Sequence, residues 1–206
     1  MNTPNKLTMI RIFITLIIVA ILLFPFSATG IEVTQLFVNE MIVIDIRYLI
    51  AGILFILAAL TDFADGYIAR KYNLVTDFGK MMDAIADKIL VNAVLIILAA
   101  QGFIHPIIPV VIIIRDTFVD SIKMIAGNKG QVIAASMLGK AKTVAMMTGL
   151  ALTLFYNMPF ELWNVRIADF LLILAAVLSV ISGIQYYAAN KHLVFPNKKE
   201  LEVDEG

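Results

Sequence analysis

The sequence predicts an all-α membrane protein, and three observations support this fold class. Of the 206 residues, 61% are hydrophobic and only 16% are charged, and the mean hydropathy is +0.91. The apolar residues gather into six runs of roughly the 20 residues that a helix needs to cross the ~30 Å hydrocarbon layer. This composition excludes a disordered chain and an ordinary soluble domain. Sixteen Lys and Arg balance sixteen Asp and Glu, so a nucleic-acid binder that depends on net positive charge is also excluded.

Six membrane-spanning helices are predicted from these runs. They cover residues 7–26, 48–71, 82–100, 107–125, 142–155 with a few flanking residues, and 167–187. The first run is interpreted as an uncleaved helix, because it is long for a signal peptide and is followed by a poor cleavage site. The second, third and fourth runs contain charged residues, which inside a membrane are typical of functional sites. We expect residues 1–195 to form a single six-helix domain and residues 196–206 to form a mobile charged tail.

The distribution of Lys and Arg predicts the orientation of these helices. Twelve of the sixteen, Arg11 among them, fall on one side of the predicted spans, only Arg47 and Arg166 fall on the other, and Lys88 and Arg115 lie within spans. Cytoplasmic loops of membrane proteins carry an excess of Lys and Arg. The protein is therefore predicted to lie in the cytoplasmic membrane with both termini in the cytoplasm.

This chain has few cysteine and histidine side chains that could bind a metal ion. It has no cysteine, and its two histidines, His105 and His192, are far apart in the sequence. Disulfides and thiolate metal sites are excluded, and a histidine-based zinc site is disfavoured. A bound metal would therefore be held by oxygen ligands.

Paired carboxylates occur near the end of the second run and near the start of the third. In a continuous helix, Asp62, Asp65 and Gly66 share one face, and Gly79, Asp83 and Asp87 share another, at spacings of three or four residues. If the second span enters from the outside near Tyr48, a rise of 1.5 Å per residue places Asp62 about 21 Å deep. The four carboxylates are thus expected in the cytoplasmic third of the bilayer.

Ionised carboxylates at that depth in the bilayer require positive charges close to them. Each unpaired charge costs several kcal/mol, and the like charges repel one another. Ligation by oxygen alone favours Mg²⁺ or Mn²⁺, and four carboxylates suit two ions about 3.5–4 Å apart. The sequence therefore predicts two divalent cations as cofactors.

A function of a different class, an ion or proton transporter, could also use such a cluster. Against this alternative, the acids lie at the cytoplasmic end of two adjacent spans. The outer half has no matching acid, and the sequence shows no sign of inverted repeats.

The whole pattern is D-x-x-D-G-x-x-A-R, then eight residues, then G-x-x-x-D-x-x-x-D, over residues 62–87. It resembles the signature of the CDP-alcohol phosphatidyltransferases, and the resemblance extends to the six-helix length. It implies an active site in a cytoplasm-facing cavity within the membrane, CDP-diacylglycerol as a substrate, and a homodimer. It also implies roles for individual residues. The implied metal ligands are Asp62, Asp65, Asp83 and Asp87, with Asp87 also the catalytic base. The implied CDP-diacylglycerol-binding residues are Gly66, Ala69, Arg70, Thr76, Asn5 and Thr8.

Basic residues near the cytoplasmic ends of the fourth and fifth runs indicate the acceptor. A cluster of positive charge predicts a phosphorylated alcohol rather than serine or choline. Its members are Lys123, Lys140, Lys142 and Arg115, and Asp116 or Asp120 could pair with Arg115. The stretch 130–143 resembles bacterial phosphatidylglycerophosphate synthases, which implies transfer to glycerol 3-phosphate and the release of CMP. One departure is Lys123, because those proteins commonly have Arg at this position. Inositol phosphate or another alcohol acceptor is the alternative.

Overall fold

The computed structural model describes residues 3–30, 32–38, 42–72, 76–131, 133–134 and 136–194. Six α-helices form the bulk of this part of the chain. They are α1 (Thr3–Leu23), α2 (Ile46–Lys71), α3 (Asp77–Ala100), α4 (Ile107–Asn128), α5 (Met137–Leu154) and α6 (Ile167–Val194). Each of the six predicted runs corresponds to one helix, so the predicted helical class is confirmed. The predicted tail, residues 196–206, lies outside the described residues.

Helices α3 and α5 begin well before the apolar runs that predict them, because polar residues cap their starts. The Thr76 hydroxyl accepts a hydrogen bond from the Gly79 N–H at 3.0 Å, and α3 therefore begins at Asp77. In the same way, the Ser136 hydroxyl accepts from the Gly139 N–H at 3.1 Å ahead of α5. Such caps satisfy N–H groups that the first helical turn leaves without partners. Hydropathy marks the apolar part of a helix, whereas the cap marks its start.

A short β-hairpin, which hydropathy does not predict, lies between α1 and α2. Strands β1 (Gln35–Val38) and β2 (Ile42–Asp45) pair antiparallel, with Gln35 opposite Asp45 and Val38 opposite Ile42. Single 3₁₀ turns lie at Phe26–Thr29 and Phe160–Trp163. Two strands of four residues leave the chain predominantly helical, and the class does not change.

The chain divides into two compact units. Among the described residues, the first unit comprises those within 1–105 and 148–169, and the second comprises those within 106–147 and 170–194. In the first unit, α1 packs against α2 and α3. The contacting faces repeat every three or four residues, as expected of packed helices. Their buried apolar residues include Ile18, Leu22, Ala51, Phe55, Ala58, Ala86, Leu90, Val94 and Leu98. The prediction of a single domain over residues 1–195 stays a prediction.

Polar contacts close one end of the first unit. The Gln101 side chain, just after α3, donates a hydrogen bond to the Leu22 carbonyl and accepts one from the Tyr48 hydroxyl, each at 2.9 Å. Asp45 caps α2, and its carboxylate accepts hydrogen bonds from the backbone and side chain of Arg47. Burial by itself raises the pKa of the Asp45 carboxyl, but the Arg47 hydrogen bonds and charge outweigh it and leave the pKa below its ordinary value. The ends of α1, α2 and α3 are thereby joined.

Three stretches of the described chain are long and apolar enough to cross a membrane. They are Asn5–Leu23, Ile46–Ile68 and Ile167–Lys191. Helix α3 contains Asp83, Asp87 and Lys88, and α4 contains Arg115 and Asp116, and such charges lower the mean hydropathy of a helix. The structure thus describes a helical protein with apolar segments of membrane-spanning length, while the full set of six spans stays a prediction.

Candidate active site

The motif carboxylates lie at one end of the first unit, where α1 and α3 begin and α2 ends. Asp62 and Asp65 belong to the last turns of α2, and Asp83 and Asp87 belong to the first turns of α3. Their surroundings differ. The Asp65 side chain is 1% exposed, whereas those of Asp62 and Asp83 are 48% and 40% exposed. One carboxylate is therefore fixed inside the protein, and two are accessible.

A basic residue of α1, Arg11, lies among these carboxylates. Its Nη2 donates a hydrogen bond to Asp65 Oδ2. Its Nη1 lies 2.7 Å from Asp62 Oδ1 and 3.9 Å from Asp83 Oδ1, and the side chain is fully buried. The distribution of Lys and Arg places Arg11 with the cytoplasmic-side residues, and the structure makes it an internal ion-pair partner. Buried charges of this kind need opposite charges, because an isolated one is strongly destabilising.

The start of α1 also contacts the start of α3. The Thr8 hydroxyl donates a hydrogen bond to Asp83 Oδ1 at 2.7 Å. A Cβ added at Gly79 would lie 2.7 Å from Asn5 Oδ1 and 3.0 Å from Thr76 Oγ1. The motif glycine thus allows a neighbouring helix to approach closely. Asn5 and Thr8, predicted to bind the lipid nucleotide, lie beside the carboxylates and are themselves buried.

The donor set fits a hard divalent cation. Within the described part of the chain, Asp65 Oδ1 is buried and accepts no hydrogen bond, and the adjoining donors are further carboxylate oxygens, the ligands that Mg²⁺ and Mn²⁺ prefer. No three His, Cys, Asp or Glu side chains of the described residues form a ready metal-binding group. Arg11 lies between three of the four carboxylates. The residue types therefore fit the predicted cofactor, while the ligand geometry stays a prediction.

The remaining predicted CDP-diacylglycerol-binding residues follow the carboxylates along α2 and precede α3. Gly66 is half-buried in α2. Thr76 caps α3 through its hydroxyl. Ala69 and Arg70 lie in α2, but their side chains are outside the part that the structure describes. The structure therefore assigns Thr76 a role in helix formation, and the nucleotide-binding roles stay predictions.

Two of the four predicted acceptor-binding residues meet in the second unit, on Asp116. Lys142 Nζ, with a side chain only 5% exposed, lies 2.9 and 2.8 Å from the two Asp116 carboxylate oxygens. Arg115 Nη1 donates to Asp116 Oδ1 at 2.9 Å, and Nη2 donates to Ser182 Oγ at 3.0 Å. The side chain of Arg115 also lies against Gly183, where an added Cβ would be 3.0 Å from Arg115 Cγ. Asp116 thus brings two cations together within one unit.

The other two predicted acceptor-binding residues have exposed side chains. Lys123 Nζ lies 4.0 Å from Asp120 Oδ1, and its side chain is 45% exposed. Lys140 is exposed in the first turn of α5. An exposed lysine near a helix start can move toward an anion at little cost. Only Arg115 and Lys142 are therefore held in place by the fold.

Sequence patterns did not predict the contacts of Arg11 and Asp116 in these clusters, although the sequence carries a signal for Arg11. Asn5, Thr8, Arg11 and Thr15 are polar, they repeat at spacings of three and four, and all four are buried. A polar stripe in an otherwise apolar helix predicts a buried polar face. For Asp116, the sequence suggests only a pair with its neighbour Arg115. Its contact with Lys142 joins positions 26 residues apart, which spacing within one helix cannot show.

Comparisons with known proteins agree with the motif. A family model described as CDP-alcohol phosphatidyltransferase matches residues 1–181. A Bacillus subtilis (strain 168) protein named CDP-diacylglycerol–glycerol-3-phosphate 3-phosphatidyltransferase is 42% identical, over 92% of this chain and 95% of that protein. A Rickettsia bellii protein of the same name is 35% identical, over 92% of this chain and 96% of that protein.

A solved structure supports the fold. The crystal structure of Mycobacterium tuberculosis phosphatidylinositol phosphate synthase in its apo form is similar to this chain with a TM-score of 0.59. The match covers 95% of this chain and 90% of that chain, at 21% sequence identity. At this identity, the similarity concerns the fold alone.

Proposed function

Because the chain belongs to the CDP-alcohol phosphatidyltransferase family, we propose that it transfers the phosphatidyl group of CDP-diacylglycerol to glycerol 3-phosphate. The products are phosphatidylglycerophosphate and CMP, so the enzyme serves phospholipid biosynthesis. One observation carries the proposal: three of the four motif carboxylates, Asp62, Asp65 and Asp83, meet at Arg11 of α1. Relatives of nearly the same length, which carry the name of this reaction, support the choice of acceptor.

Asp62, Asp65, Asp83 and Asp87 are the proposed ligands of two divalent cations, Mg²⁺ or Mn²⁺. When bound, such ions would neutralise the pyrophosphate and stabilise the negative charge that develops at the reacting phosphorus. The exposed carboxylates Asp62 and Asp83 can receive a cation from the solvent side, and Asp65 offers its unpartnered Oδ1. Their placement on two helices that both pack against α1 brings these donors together.

Asp87 is the proposed general base. It follows Asp83 by one helical turn, which places both on the same face of α3. Its carboxylate would accept the proton of the acceptor hydroxyl as that oxygen bonds to the lipid-side phosphorus. The bond from this phosphorus to the CMP oxygen breaks, and the electron pair leaves with CMP. A carboxylate within hydrogen-bond reach of the attacking hydroxyl is suited to this transfer.

The proposed binding groups for the two substrates come from different parts of the chain. For the cytidine diphosphate, they are Gly66, Ala69, Arg70, Thr76, Asn5 and Thr8. For the phosphate of the acceptor, they are Arg115, Lys123, Lys140 and Lys142. The second group is supported by its charge and by the contacts of Arg115 and Lys142 with Asp116, since clustered cations bind phosphate oxygens.

The proposed setting is the cytoplasmic membrane, with six spans, both termini in the cytoplasm and a homodimeric assembly. The excess of Lys and Arg on one side of the helices supports the orientation. The three long apolar stretches support the membrane location.

The experiment that tests the function measures CMP release by purified protein in detergent with CDP-diacylglycerol. Four acceptor conditions are compared: glycerol 3-phosphate, inositol phosphate, serine and no acceptor. Each is run with EDTA, Mg²⁺ or Mn²⁺. We expect release that requires a divalent cation and is fastest with glycerol 3-phosphate. Faster CMP release with inositol phosphate would identify inositol phosphate as the acceptor. The absence of cation-dependent CMP release with every alcohol would refute the proposed enzyme activity.

A further inference from the structure

Arg11 is a charged member of the carboxylate cluster to which the motif assigns no role. It lies in the apolar helix α1, and its side chain is fully buried. Burying an arginine among helices is costly unless ion pairs and hydrogen bonds compensate for the lost hydration. The compensation comes from the same carboxylates that are proposed to bind cations. Arg11 and a cation would therefore share these partners.

The two ends of the guanidinium make different contacts. Nη2 hydrogen-bonds to Asp65 Oδ2, and both side chains are almost completely buried. Nη1 lies 2.7 Å from Asp62 and 3.9 Å from Asp83, and it has no hydrogen bond of good geometry among the described residues. One nitrogen thus serves two carboxylates from two helices, whereas the other is committed to a single partner.

Exposure follows the same division. The carboxylates that share Nη1 are 48% and 40% exposed, and the partner of Nη2 is 1% exposed. A cation arriving from solvent would reach Asp62 and Asp83 first, and there it would meet the positive charge of Nη1. The guanidinium and the cation carry like charges, so their repulsion lowers the affinity of the site for the cation. The hydrogen bond between Asp65 Oδ2 and Arg11 Nη2 is shielded from this competition by its burial.

We propose that Arg11 is a positioning residue that acts as the built-in counter-ion of the carboxylate cluster. It holds Asp65 in place and competes with the divalent cation for Asp62 and Asp83. This inference rests on the proposed cation site. It has two consequences: Arg11 weakens cation binding, and it makes the stability of the fold less dependent on the cation.

The test compares Arg11→Met with wild type and with a control, Arg47→Met. Arg47 also pairs with an aspartate, Asp45, but at the other end of α2. Each protein is purified in detergent, treated with EDTA and titrated with Mn²⁺. Thermal unfolding gives Tm, and calorimetry gives the Kd for Mn²⁺. A ligand that binds only the folded state raises Tm according to its affinity.

We expect Arg11→Met to lower the cation-free Tm more than Arg47→Met does, because it leaves Asp65 buried without its partner. Mn²⁺ should then raise the Tm of Arg11→Met by more than that of wild type, with a Kd at least about tenfold lower. The Arg47→Met protein should respond to Mn²⁺ as wild type does.

Equal Mn²⁺ responses in Arg11→Met and wild type would reduce Arg11 to a structural residue and overturn the inference. A weaker response would overturn it in the other direction, because Arg11 would then support the cation. If wild type itself does not bind Mn²⁺, the proposed cation site fails together with the inference, and that outcome is recognised from the wild-type titration alone.

Should Arg11→Met fail to fold, Arg11→Lys provides the same test. Lysine keeps the charge, but its single ammonium lacks the fork that reaches Asp62 and Asp65 together. We expect a Kd for Mn²⁺ below that of wild type. A Kd equal to or above the wild-type value would contradict competition at Asp62 and Asp83.

Discussion

Asp62, Asp65 and Asp83 belong to one motif, yet their side chains experience different environments. Asp65 is buried against Arg11, whereas Asp62 and Asp83 retain large exposed fractions. A carboxylate without access to solvent depends on its ion pair, while an accessible one can exchange partners. Identical residue types are therefore suited to different tasks: Asp65 anchors Arg11 through Oδ2 and keeps only Oδ1 for a cation, and the other two can receive a ligand from the solvent side.

The role of Asp87 leads to a prediction about chemistry. Asp87→Asn removes the proton acceptor but keeps the size of the side chain, so CMP release should nearly disappear while CDP-diacylglycerol binding is largely retained. Turnover and equilibrium binding of the lipid nucleotide are the measurements. Asp169→Asn, an acid at the start of α6, is the control and should leave both unchanged. Near-normal turnover of Asp87→Asn would remove its role as the base.

Gly79 leads to a prediction about packing. Gly79→Ala would place a Cβ 2.7 Å from Asn5 Oδ1, so we expect a loss of about 1–3 kcal/mol in the free energy of unfolding, as for other overpacked sites. Gly127→Ala is the matched helical control, because nothing lies within 4 Å of its added Cβ. Denaturant unfolding in detergent measures both. Restored stability in the pair Asn5→Ala with Gly79→Ala would confirm the clash, and equal stability of the two single variants would exclude it.

At the scale of elements, helix starts explain part of the motif pattern. Both α3 and α5 begin after a Ser or Thr whose hydroxyl binds the N–H of a glycine three residues on, Gly79 or Gly139. These residues belong to the stretches that resemble known enzymes. Part of what a family signature specifies is thus the local geometry of the helices that present the charged residues.

Helix α5 presents two lysines with different roles, and this difference can be tested. Lys142→Ala removes a buried partner of Asp116 and should cost about 1–3 kcal/mol of unfolding free energy, as for hydrogen bonds to charged groups. Lys140→Ala, at an exposed position, should change stability by less than about 0.5 kcal/mol. Thermal and denaturant unfolding give these values.

Enzyme kinetics should separate the same two variants. Lys140→Ala should raise the KM for glycerol 3-phosphate several-fold and leave that for CDP-diacylglycerol near the wild-type value. A rise in KM confined to CDP-diacylglycerol would assign Lys140 to the binding site of the lipid nucleotide. The Lys142→Ala kinetics are compared at a temperature where its folded fraction equals that of wild type.

At the scale of the whole molecule, the orientation in the membrane is the main prediction. The chain has no cysteine, so a single introduced cysteine is the only thiol of the purified protein and its labelling reports the side on which it lies. We expect Thr34→Cys in the α1–α2 connection to react with a membrane-impermeant maleimide added outside intact cells. Lys191→Cys near the end of α6 should react only after the membrane is opened. The reverse pattern would invert the orientation.

Sequence patterns alone predicted much of this protein. Family membership is confirmed, and each predicted run corresponds to a helix, because hydropathy and the spacing of Asp62, Asp65, Asp83 and Asp87 are local properties of the chain. The β-hairpin was missed, because its two strands are short and lie in a connection where apolar residues had no assigned partner. The early starts of α3 and α5 were missed, because hydropathy does not report caps.

The sequence by itself determined the helical class, the family and the carboxylates, since each depends on residue type and on spacing within one helix. Only the tertiary structure decided that Arg11 lies among the aspartates, that Asp65 is buried while Asp62 and Asp83 are accessible, and that Asp116 joins Arg115 to Lys142. Contacts between α1, α2 and α3, or between residues 116 and 142, depend on how helices pack. Burial, which sets the energy of every one of these charges, arises only when the helices are assembled.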